Sequence, residues 1–387
     1  MPEAFILDGL RTPIGRYGGV LADQRPDDLV AQTLKAVVDR SGIDPSDIDE
    51  VILGSANQAG EDNRNIARMA VLLAGLPESV PGFTVNRLCA SGMTAITTAR
   101  AMIAAGDAEV VVAGGVESMT RAPWVSEKPS RAWSKPGRSW DTSIGWRFTN
   151  PAFDEDTTLS MPQTAERVAE KWKLTRDALD EFAFNSHQKA LAAQREGKFD
   201  PEILPIGEVA VDEGPRDSTL EKLAKLRPIH GEGGVITAGN SSSLNDGAAV
   251  TILVSEDYAN RHGLSPRARV VAGANAGVSP DIMGIGPVPA TRKVFERTGW
   301  SVDDLEAVEL NEAFASQSLA CIGDLGLDPE TVNGFGGAIA LGHPLGCSGT
   351  RITLTLLNRL EQAGSKKGLA TMCVGVGQGS ALLLERA

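Results

Sequence analysis

Apolar positions in the first third of the chain alternate between short continuous runs and longer runs with helical spacing. The helical spacing predicts helices over about 27–40 and 64–74. A polar turn is predicted over 11–16. Three continuously apolar runs predict buried strands: 5–7, 50–54 and 109–115. Strands that alternate with helices and are apolar on both faces predict an α/β fold with a mostly parallel, covered sheet.

The pattern returns late in the chain. The segment Thr298–Leu310 repeats the segment Ser41–Leu53 at an offset of 257 positions (298 − 41). The pair Ser348-Gly349 stands at the same offset from Ser91-Gly92, and each pair is followed by a helical and then a strand-like run. A register held across both segments favours duplication over chance similarity. Two similar halves are expected to pack with pseudo-twofold symmetry.

A different segment separates the halves. Residues 121–150 contain six basic residues, two acidic residues and four of the six tryptophans. Such a composition suits a phosphate-bearing ligand with a stackable base, or a contact between subunits. Single-stranded nucleic acid is a weaker alternative, since the whole chain carries a net charge of −13.

Two amphipathic helices follow, one from Gln163 to Trp172 and one that begins after Thr175. The insertion therefore covers about residues 118–242. The predicted domains are an N-terminal domain of 1–117 plus 243–266, a loop domain of 118–242 and a C-terminal domain of 267–387.

Length and composition limit the domain organisation and the cellular location that are expected. At 387 residues the chain exceeds what one hydrophobic core usually serves. Four cysteines are too few for a disulfide framework, and the N-terminus lacks the pattern of a secretory signal. No apolar run approaches the length of a membrane span. A cytoplasmic protein without a membrane or nucleic-acid partner is expected.

Cys89 lies between an extended run, 81–86, and a helical run that ends at Gly106. A cysteine in the first turn of a helix faces unpaired N–H groups and the positive end of the helix dipole, which favour a thiolate. A small buried hydrophobic residue is the alternative interpretation.

Three further segments could carry chemistry, and each follows a predicted strand or opens a helix: 311–314, 342–346 and 373–379. His343, in a glycine-flanked turn, is either a structural residue or a base. Cys373 precedes three glycines whose N–H groups could form an anion site. Too few residues follow this glycine run for a dinucleotide-binding unit. His343 and Cys347 lack the further ligands of a zinc site, so no metal is expected.

These segments together resemble the signature blocks of the thiolase family over essentially the whole chain. The blocks are Asn86–Met93, Asn311–Phe314, Gly336–Pro344 and Cys373–Gly379. The resemblance implies two duplicated αβ domains in a five-layered αβαβα core, with a loop domain inserted. It also implies a homotetramer, built as a dimer of dimers.

The chemistry implied is acyl transfer between a 3-oxoacyl-CoA and coenzyme A, with coenzyme A and acetyl-CoA as substrates and no permanently bound cofactor. By resemblance, Cys89 takes the acyl group, His343 accepts its proton, and Cys373 exchanges a proton with the acetyl α-carbon. Asn311 would fix a water beside His343 at one oxyanion. The N–H groups of Cys89 and Gly375 would bind the other oxyanion.

Ser242 matches the serine that contacts the pantetheine arm in this family, and Ser243 stands where many members have glycine. The segment 121–150 is then a candidate for the adenine and phosphates of coenzyme A, or for the tetramer contact.

Within the family, Asp141–Phe148, Ser160–Glu166 and the loop containing Val376 are similar to 3-oxoadipyl-CoA thiolases. A degradative enzyme of aromatic catabolism is therefore predicted, although the segment 206–218 looks shorter than in that subgroup. Acetoacetyl-CoA thiolase and general β-oxidation thiolase are the alternatives.

Two other functions are possible interpretations of the sequence. One is a decarboxylating condensing enzyme, and the other is an acyl-CoA-binding protein without activity. Cys373 and the 311–314 block disfavour the former, and the presence of Cys89, His343 and Cys373 disfavours the latter.

Overall fold

The computed structural model describes residues 2–58 and 60–387. The strands of this part of the chain are β1 (Ala4–Arg11), β2 (Gly15–Arg16), β3 (Glu50–Gly54), β4 (Gly82–Val85), β5 (Val110–Ser118), β6 (Trp124–Ser126), β7 (Ser139–Asp141), β8 (Asn245–Ser255), β9 (Ala268–Gly277), β10 (Ala307–Leu310), β11 (Lys367–Val374) and β12 (Gln378–Arg386). The helices are α1 (Pro26–Ser41), α2 (Ile66–Leu73), α3 (Ser91–Ala105), α4 (Met161–Lys171), α5 (Arg176–Arg195), α6 (Leu220–Ala224), α7 (Glu256–His262), α8 (Pro287–Thr298), α9 (Ala315–Leu325), α10 (Ala338–Leu341) and α11 (Leu345–Ala363).

Hydrogen bonds join the main strands in the order β10-β11-β12-β9-β1-β8-β5-β3-β4. The duplicated halves of the chain meet where β1 pairs with β9, through Phe5 with Arg269 and Ile6 with Ala268. The predicted duplication agrees with this order, since β3 and β10 begin 257 positions apart and so do β5 and β11.

The prediction of a mostly parallel sheet is wrong. Only β3–β4, β3–β5 and β10–β11 are parallel pairs within the described residues. The turn at Gly375–Gly377 sends the chain straight back beside β11, so β12 runs antiparallel to it. In the first half, β8 returns antiparallel to β5 after the long insertion. Tight reversals of this kind produce antiparallel neighbours, whereas parallel neighbours need a crossover.

Side chains on the two faces of each half-sheet belong to different cores, which produces five layers. On β3, Val51 and Leu53 pack against α1 and α2, while Ile52 faces the central core with α3 and α11. On β12, Leu382 and Leu384 face the same central core. Leu383 faces the other way, toward α8 and α9. The alternation follows from the two-residue period of strands, and it confirms the predicted αβαβα core.

The N-termini of α3 and α11 approach each other closely in the central layer. A Cβ on Gly92 would lie 2.6 Å from Thr350 Oγ1 and 2.7 Å from the Gly346 carbonyl oxygen. A Cβ on Gly349 would meet the backbone and side chain of Met93. The two glycines occupy equivalent positions in the repeat, so the contact is reciprocal. Only residues without a side chain allow this crossing.

One predicted turn proved to be part of the core. A polar turn was predicted over 11–16, yet the side chain of Arg11, at the end of β1, is fully buried. Its guanidinium donates hydrogen bonds to Glu202 and Asp212, both of which belong to the insertion. A buried arginine is tolerated because these carboxylates neutralise it. Sequence spacing could not reveal partners 191 and 201 residues away.

The expectation that no run approaches a membrane span in length also needs correction. The helical stretch Leu88–Ala105 is long and apolar enough by length and composition, and 44% of it is buried. Within it, Met93, Ile96 and Ala99 are fully buried in the central layer between the half-sheets. A core helix of this length and hydropathy meets the same criteria as a membrane-spanning helix.

The insertion contains the two-stranded sheet of β6 and β7 and the helices α4, α5 and α6. Helix α4 begins at Met161, two residues earlier than expected, because Ser160 and Gln163 form a capping box. Helix α5 begins after Thr175, whose side chain accepts a hydrogen bond from the Ala178 N–H, as predicted. The domain boundaries near 118, 243 and 267 stay a prediction.

The contact between α3 and α11 gives a test of the fold. Gly349→Ala is expected to lower the free energy of unfolding by ~1–3 kcal/mol, because its methyl group would overlap the Met93 backbone. Gly323→Ala is the matched control in α9, since no atom lies within 4 Å of its Cβ position. The control is expected to raise stability by roughly 0.5–1 kcal/mol. Thermal unfolding at equal protein concentration measures both, and a Gly349→Ala protein as stable as the control would contradict the packing.

Candidate active site

Cys89 lies in a 3-10 turn, Leu88–Ala90, between β4 and α3. It was expected in the first turn of the α-helix, which instead begins two residues later at Ser91. The Ser91 hydroxyl accepts a hydrogen bond from the Arg87 N–H and donates one to the Leu88 carbonyl. Leu88 has a positive φ of 47°. The turn therefore holds the cysteine in a fixed, strained backbone.

Burial raises the pKa of the Cys89 thiol to about 11. Hydrogen bonds from the backbone N–H groups of Gly375 and of Cys89 itself lower the pKa, and the charge of Glu117 raises it. The expectation that this position favours a thiolate in the resting protein is wrong, because burial outweighs the N–H groups. At neutral pH Cys89 is a thiol that needs a base.

His343 stands between α10 and α11, and Gly342 before it has a φ of 111°. The backbone N–H of His343 donates to Asn245 Oδ1 at 2.9 Å. Burial, followed by the charge of Arg351, lowers the pKa of the imidazole to about 3. The ring is therefore neutral at physiological pH and able to accept a proton.

Ser348 fixes which imidazole nitrogen is free. Its hydroxyl lies 2.6 Å from His343 Nδ1 and 2.8 Å from the Pro344 carbonyl oxygen. The hydroxyl has one proton, which it donates to the carbonyl, so Nδ1 must be the donor in the other contact. We therefore assign the proton to Nδ1, which leaves Nε2 as the basic nitrogen.

Asn311 faces that basic nitrogen. Its Nδ2 lies 3.4 Å from His343 Nε2, and both side chains are buried. Asn311 Oδ1 is buried without a hydrogen-bond partner among the described residues. A buried acceptor of this kind marks a place for a water or a ligand group.

Cys373 is fully buried near the end of β11. Burial, followed by the charges of Cys89 and Cys321, raises the pKa of its thiol well above the usual value. The N–H of Gly375, two residues after Cys373, bonds the Cys89 sulfur, so both cysteines belong to one site. Cys373 is thus a protonated thiol that can act as an acid beside the nucleophile.

The turn after Cys373 forms one wall of the site. A Cβ on Gly375 would lie 3.1 Å from Leu88 Cδ1 and 3.2 Å from the Trp146 ring, so the Gly375 backbone is held against both side chains. Val376 has a φ of 60°, a conformation that is costly for a β-branched residue. A glycine at this position would adopt the same φ without that cost.

Glu117 is the residue that the sequence pattern did not single out. It is buried at the end of β5 and accepts backbone hydrogen bonds from Ala56, Asn57 and Gly346. Burial raises its pKa to about 7. It ties the turn after His343 to the half that contains Cys89. The apolar run preceding it ended at Gly115, so no sequence signal pointed to this side chain.

Ser242 lies beside the 311–314 block, since its N–H donates to the Ala313 carbonyl at 2.9 Å. In the segment 121–150, Trp140 packs on Phe148 with ring centroids 4.5 Å apart. Both rings line a cavity of about 480 Å³ that also reaches Trp146. Two other tryptophans, Trp124 and Trp133, are 74% and 102% exposed.

The structure therefore brings the predicted residues together in two groups. Cys89, Gly375 and Cys373 form the first group. His343 and Asn311 form the second, and Glu117 joins it to the first. Ser242 lies at the edge of the second group.

The role of Ser348 can be tested by replacement. Ser348→Ala is expected to slow acylation of Cys89 by acetyl-CoA about 10- to 100-fold, because a buried Nδ1–H without an acceptor costs ~1–3 kcal/mol. Ser318→Ala is the matched control, since Ser318 is also buried in a helix and bonds the carbonyl four residues earlier. Equal acylation rates for the two variants would contradict the assigned tautomer.

Two family models together match nearly the whole chain. The family model for the thiolase N-terminal domain matches residues 4–257, and the model for the thiolase C-terminal domain matches residues 264–386. A beta-ketoadipyl-CoA thiolase of Pseudomonas aeruginosa is 56% identical over 99% of this chain and 99% of its own length. An Escherichia coli 3-oxoadipyl-CoA/3-oxo-5,6-dehydrosuberyl-CoA thiolase is 53% identical over the full length of both chains.

Among solved structures, human mitochondrial 3-ketoacyl-CoA thiolase in complex with CoA superposes with a TM-score of 0.93 at 39% identity. That similarity covers 100% of this chain and 98% of the human chain. The duplicated five-layered core, the cysteine turn and the family models together show that this chain belongs to the thiolase family and is a thiolase acyltransferase.

Proposed function

We propose that this thiolase cleaves 3-oxoadipyl-CoA with coenzyme A, giving acetyl-CoA and succinyl-CoA. The observation that carries the proposal is the full-length similarity to relatives named for this substrate. The site supports it, because Cys89, His343 and Cys373 are all present in protonation states suited to the reaction.

In the first half-reaction, the Cys89 sulfur attacks the 3-oxo carbonyl carbon while its proton passes to His343 Nε2. The bond between C2 and C3 breaks, and the succinyl group stays on the sulfur. The electron pair of that bond leaves with acetyl-CoA as an enolate, which takes a proton at C2 from the Cys373 thiol. The high pKa of Cys373 suits it to hold this proton until the enolate forms.

In the second half-reaction, coenzyme A replaces the enzyme on the succinyl group. The thiol of coenzyme A gives its proton to the Cys373 thiolate, and its sulfur attacks the thioester. Cys89 leaves and recovers its proton from His343. Both cysteines and the imidazole therefore return to their starting states.

Two oxyanions need stabilisation. The N–H groups of Cys89 and Gly375 point at the nucleophilic sulfur and would bind the tetrahedral oxyanion that forms there. Protonated His343 and a water held by Asn311 would bind the enolate oxygen. The unpaired Oδ1 of Asn311 supports that water position.

Coenzyme A is proposed to enter past Ser242, whose side chain is partly exposed beside the 311–314 block. No permanently bound cofactor is needed for this chemistry. We also propose a homo-oligomer, a dimer of dimers. The edge position of β4 in the sheet and the exposed rings of Trp124 and Trp133 support contacts between subunits. The four free cysteines suit a reducing compartment, and a cytoplasmic location is proposed.

The substrate assignment is tested by thiolysis of three esters side by side: 3-oxoadipyl-CoA, 3-oxohexanoyl-CoA and acetoacetyl-CoA. The dicarboxylic ester is expected to have a kcat/KM at least about tenfold higher, equivalent to ~1.4 kcal/mol of discrimination in the transition state. Chromatography of the CoA products measures the rates, with Cys89→Ala as the blank. A preference for acetoacetyl-CoA or 3-oxohexanoyl-CoA would move the enzyme to general acyl-CoA metabolism.

A further inference from the structure

Arg147 is a half-buried cation without a carboxylate partner among the described residues. Its one side-chain hydrogen bond there runs from Nη2 to Asn57 Oδ1 at 3.1 Å. Another arginine of the same segment, Arg121, is instead paired with Glu61. A guanidinium has five N–H donors in a planar fork, so most of the donors of Arg147 have no acceptor from this part of the chain.

The neighbours of Arg147 belong to the walls of the site that contains the nucleophile. The ring of Trp146, the preceding residue, lies against Gly375, whose N–H bonds the Cys89 sulfur. On the other side, Asn57 accepts from Arg147 and donates its backbone N–H to Glu117. The charge of Glu117 acts on Cys89. A chain of hydrogen bonds through Asn57 therefore connects the Arg147 guanidinium to the carboxylate whose charge acts on Cys89.

Arg147 faces a different side from the groove next to it. Trp146 and Phe148 line the cavity of about 480 Å³ described above, and Arg147 does not. The side chain of Arg147 turns instead toward Asn57 and the loop before α2. A ligand in the aromatic groove would therefore not use its guanidinium.

We propose that Arg147 is the specificity-determining residue that binds the distal carboxylate of a dicarboxylic 3-oxoacyl-CoA. This inference rests on the proposed function and names the residue that would recognise the substrate class. The succinyl group on Cys89 ends in a carboxylate a short chain away from the sulfur. An arginine fork binds a carboxylate through two parallel hydrogen bonds, and an ester with a terminal methyl group gains nothing from it.

Arg87 is the competing cation, two residues before Cys89. Its Nε donates to Thr94 Oγ1 at 2.9 Å and its Nη1 to Gln378 Oε1 at 3.3 Å. These bonds hold its guanidinium between α3 and the start of β12. Two of the five N–H donors of Arg87 are thus engaged between α3 and β12, whereas Arg147 uses one within the described residues and presents more of its fork to a substrate.

The test compares 3-oxoadipyl-CoA with 3-oxohexanoyl-CoA, which has the same chain length and a methyl group at the end. Arg147→Gln is expected to lower kcat/KM for the dicarboxylic ester about 10- to 100-fold and to change the methyl ester less than about threefold. Arg147→Lys keeps the charge and is expected to recover part of the loss. Arg195→Gln, an exposed charge at the end of α5, is the control for charge removal.

The outcomes separate the two proposals. If the wild-type enzyme prefers the dicarboxylic ester and Arg147→Gln keeps that preference, the role of Arg147 is overturned while the proposed function stands. If the wild-type enzyme shows no preference for the dicarboxylic ester, the proposed function is overturned, and the role of Arg147 that rests on it is overturned as well. A loss of preference confined to Arg87→Gln would overturn the assignment to Arg147. So would an equal rise of the KM for coenzyme A with both esters, because Arg147 would then bind coenzyme A.

Discussion

The close crossing of α3 and α11 at Gly92 and Gly349 is the constraint on which the site depends. Cys89 comes just before α3 and His343 just before α11. Neither half of the duplicated chain contains both residues, so the reaction needs the two helix N-termini to meet in the central layer. Glu117 stabilises this contact, because its carboxylate accepts hydrogen bonds from the N–H groups of residues 56 and 57 in one half and of Gly346 in the other. A side chain at either glycine would separate the nucleophile from its base.

The burial that this crossing creates also sets the charges of the site. Burial raises the pKa of Cys89 and lowers that of His343, so both favour their neutral forms at rest. In this environment a half-buried thiol and a buried neutral imidazole cost less than a thiolate and an imidazolium. The charged pair forms when a substrate carbonyl arrives, at the moment when the N–H groups of Cys89 and Gly375 acquire an oxyanion to bind. Proton transfer and bond formation are therefore coupled at this site.

Local patterns in the sequence predicted much of this arrangement. The duplication, the inserted segment and the positions of Cys89, His343 and Cys373 at element ends could all be read from spacing. The strand directions could not, because the reversals at Gly375–Gly377 and before β8 depend on turn geometry and on the return from a long insertion. The burial of Glu117 and Arg11 was not predicted either. Their burial depends on partners far away in sequence, and periodicity carries no information about such partners.

The resting charge of Cys89 was predicted wrongly for a similar reason. The helix N-terminus is visible in the sequence, whereas the desolvation that outweighs it arises only in the folded chain.

The measurement that tests the account most directly is the thiolate absorbance of Cys89, taken as the difference between wild type and Cys89→Ala from about pH 6 to about pH 11. A neutral thiol–imidazole pair predicts no thiolate signal near neutrality and a rise only as the pH approaches about 11. A thiolate signal at neutral pH that disappears in His343→Ala would show a resting ion pair and contradict the central claim.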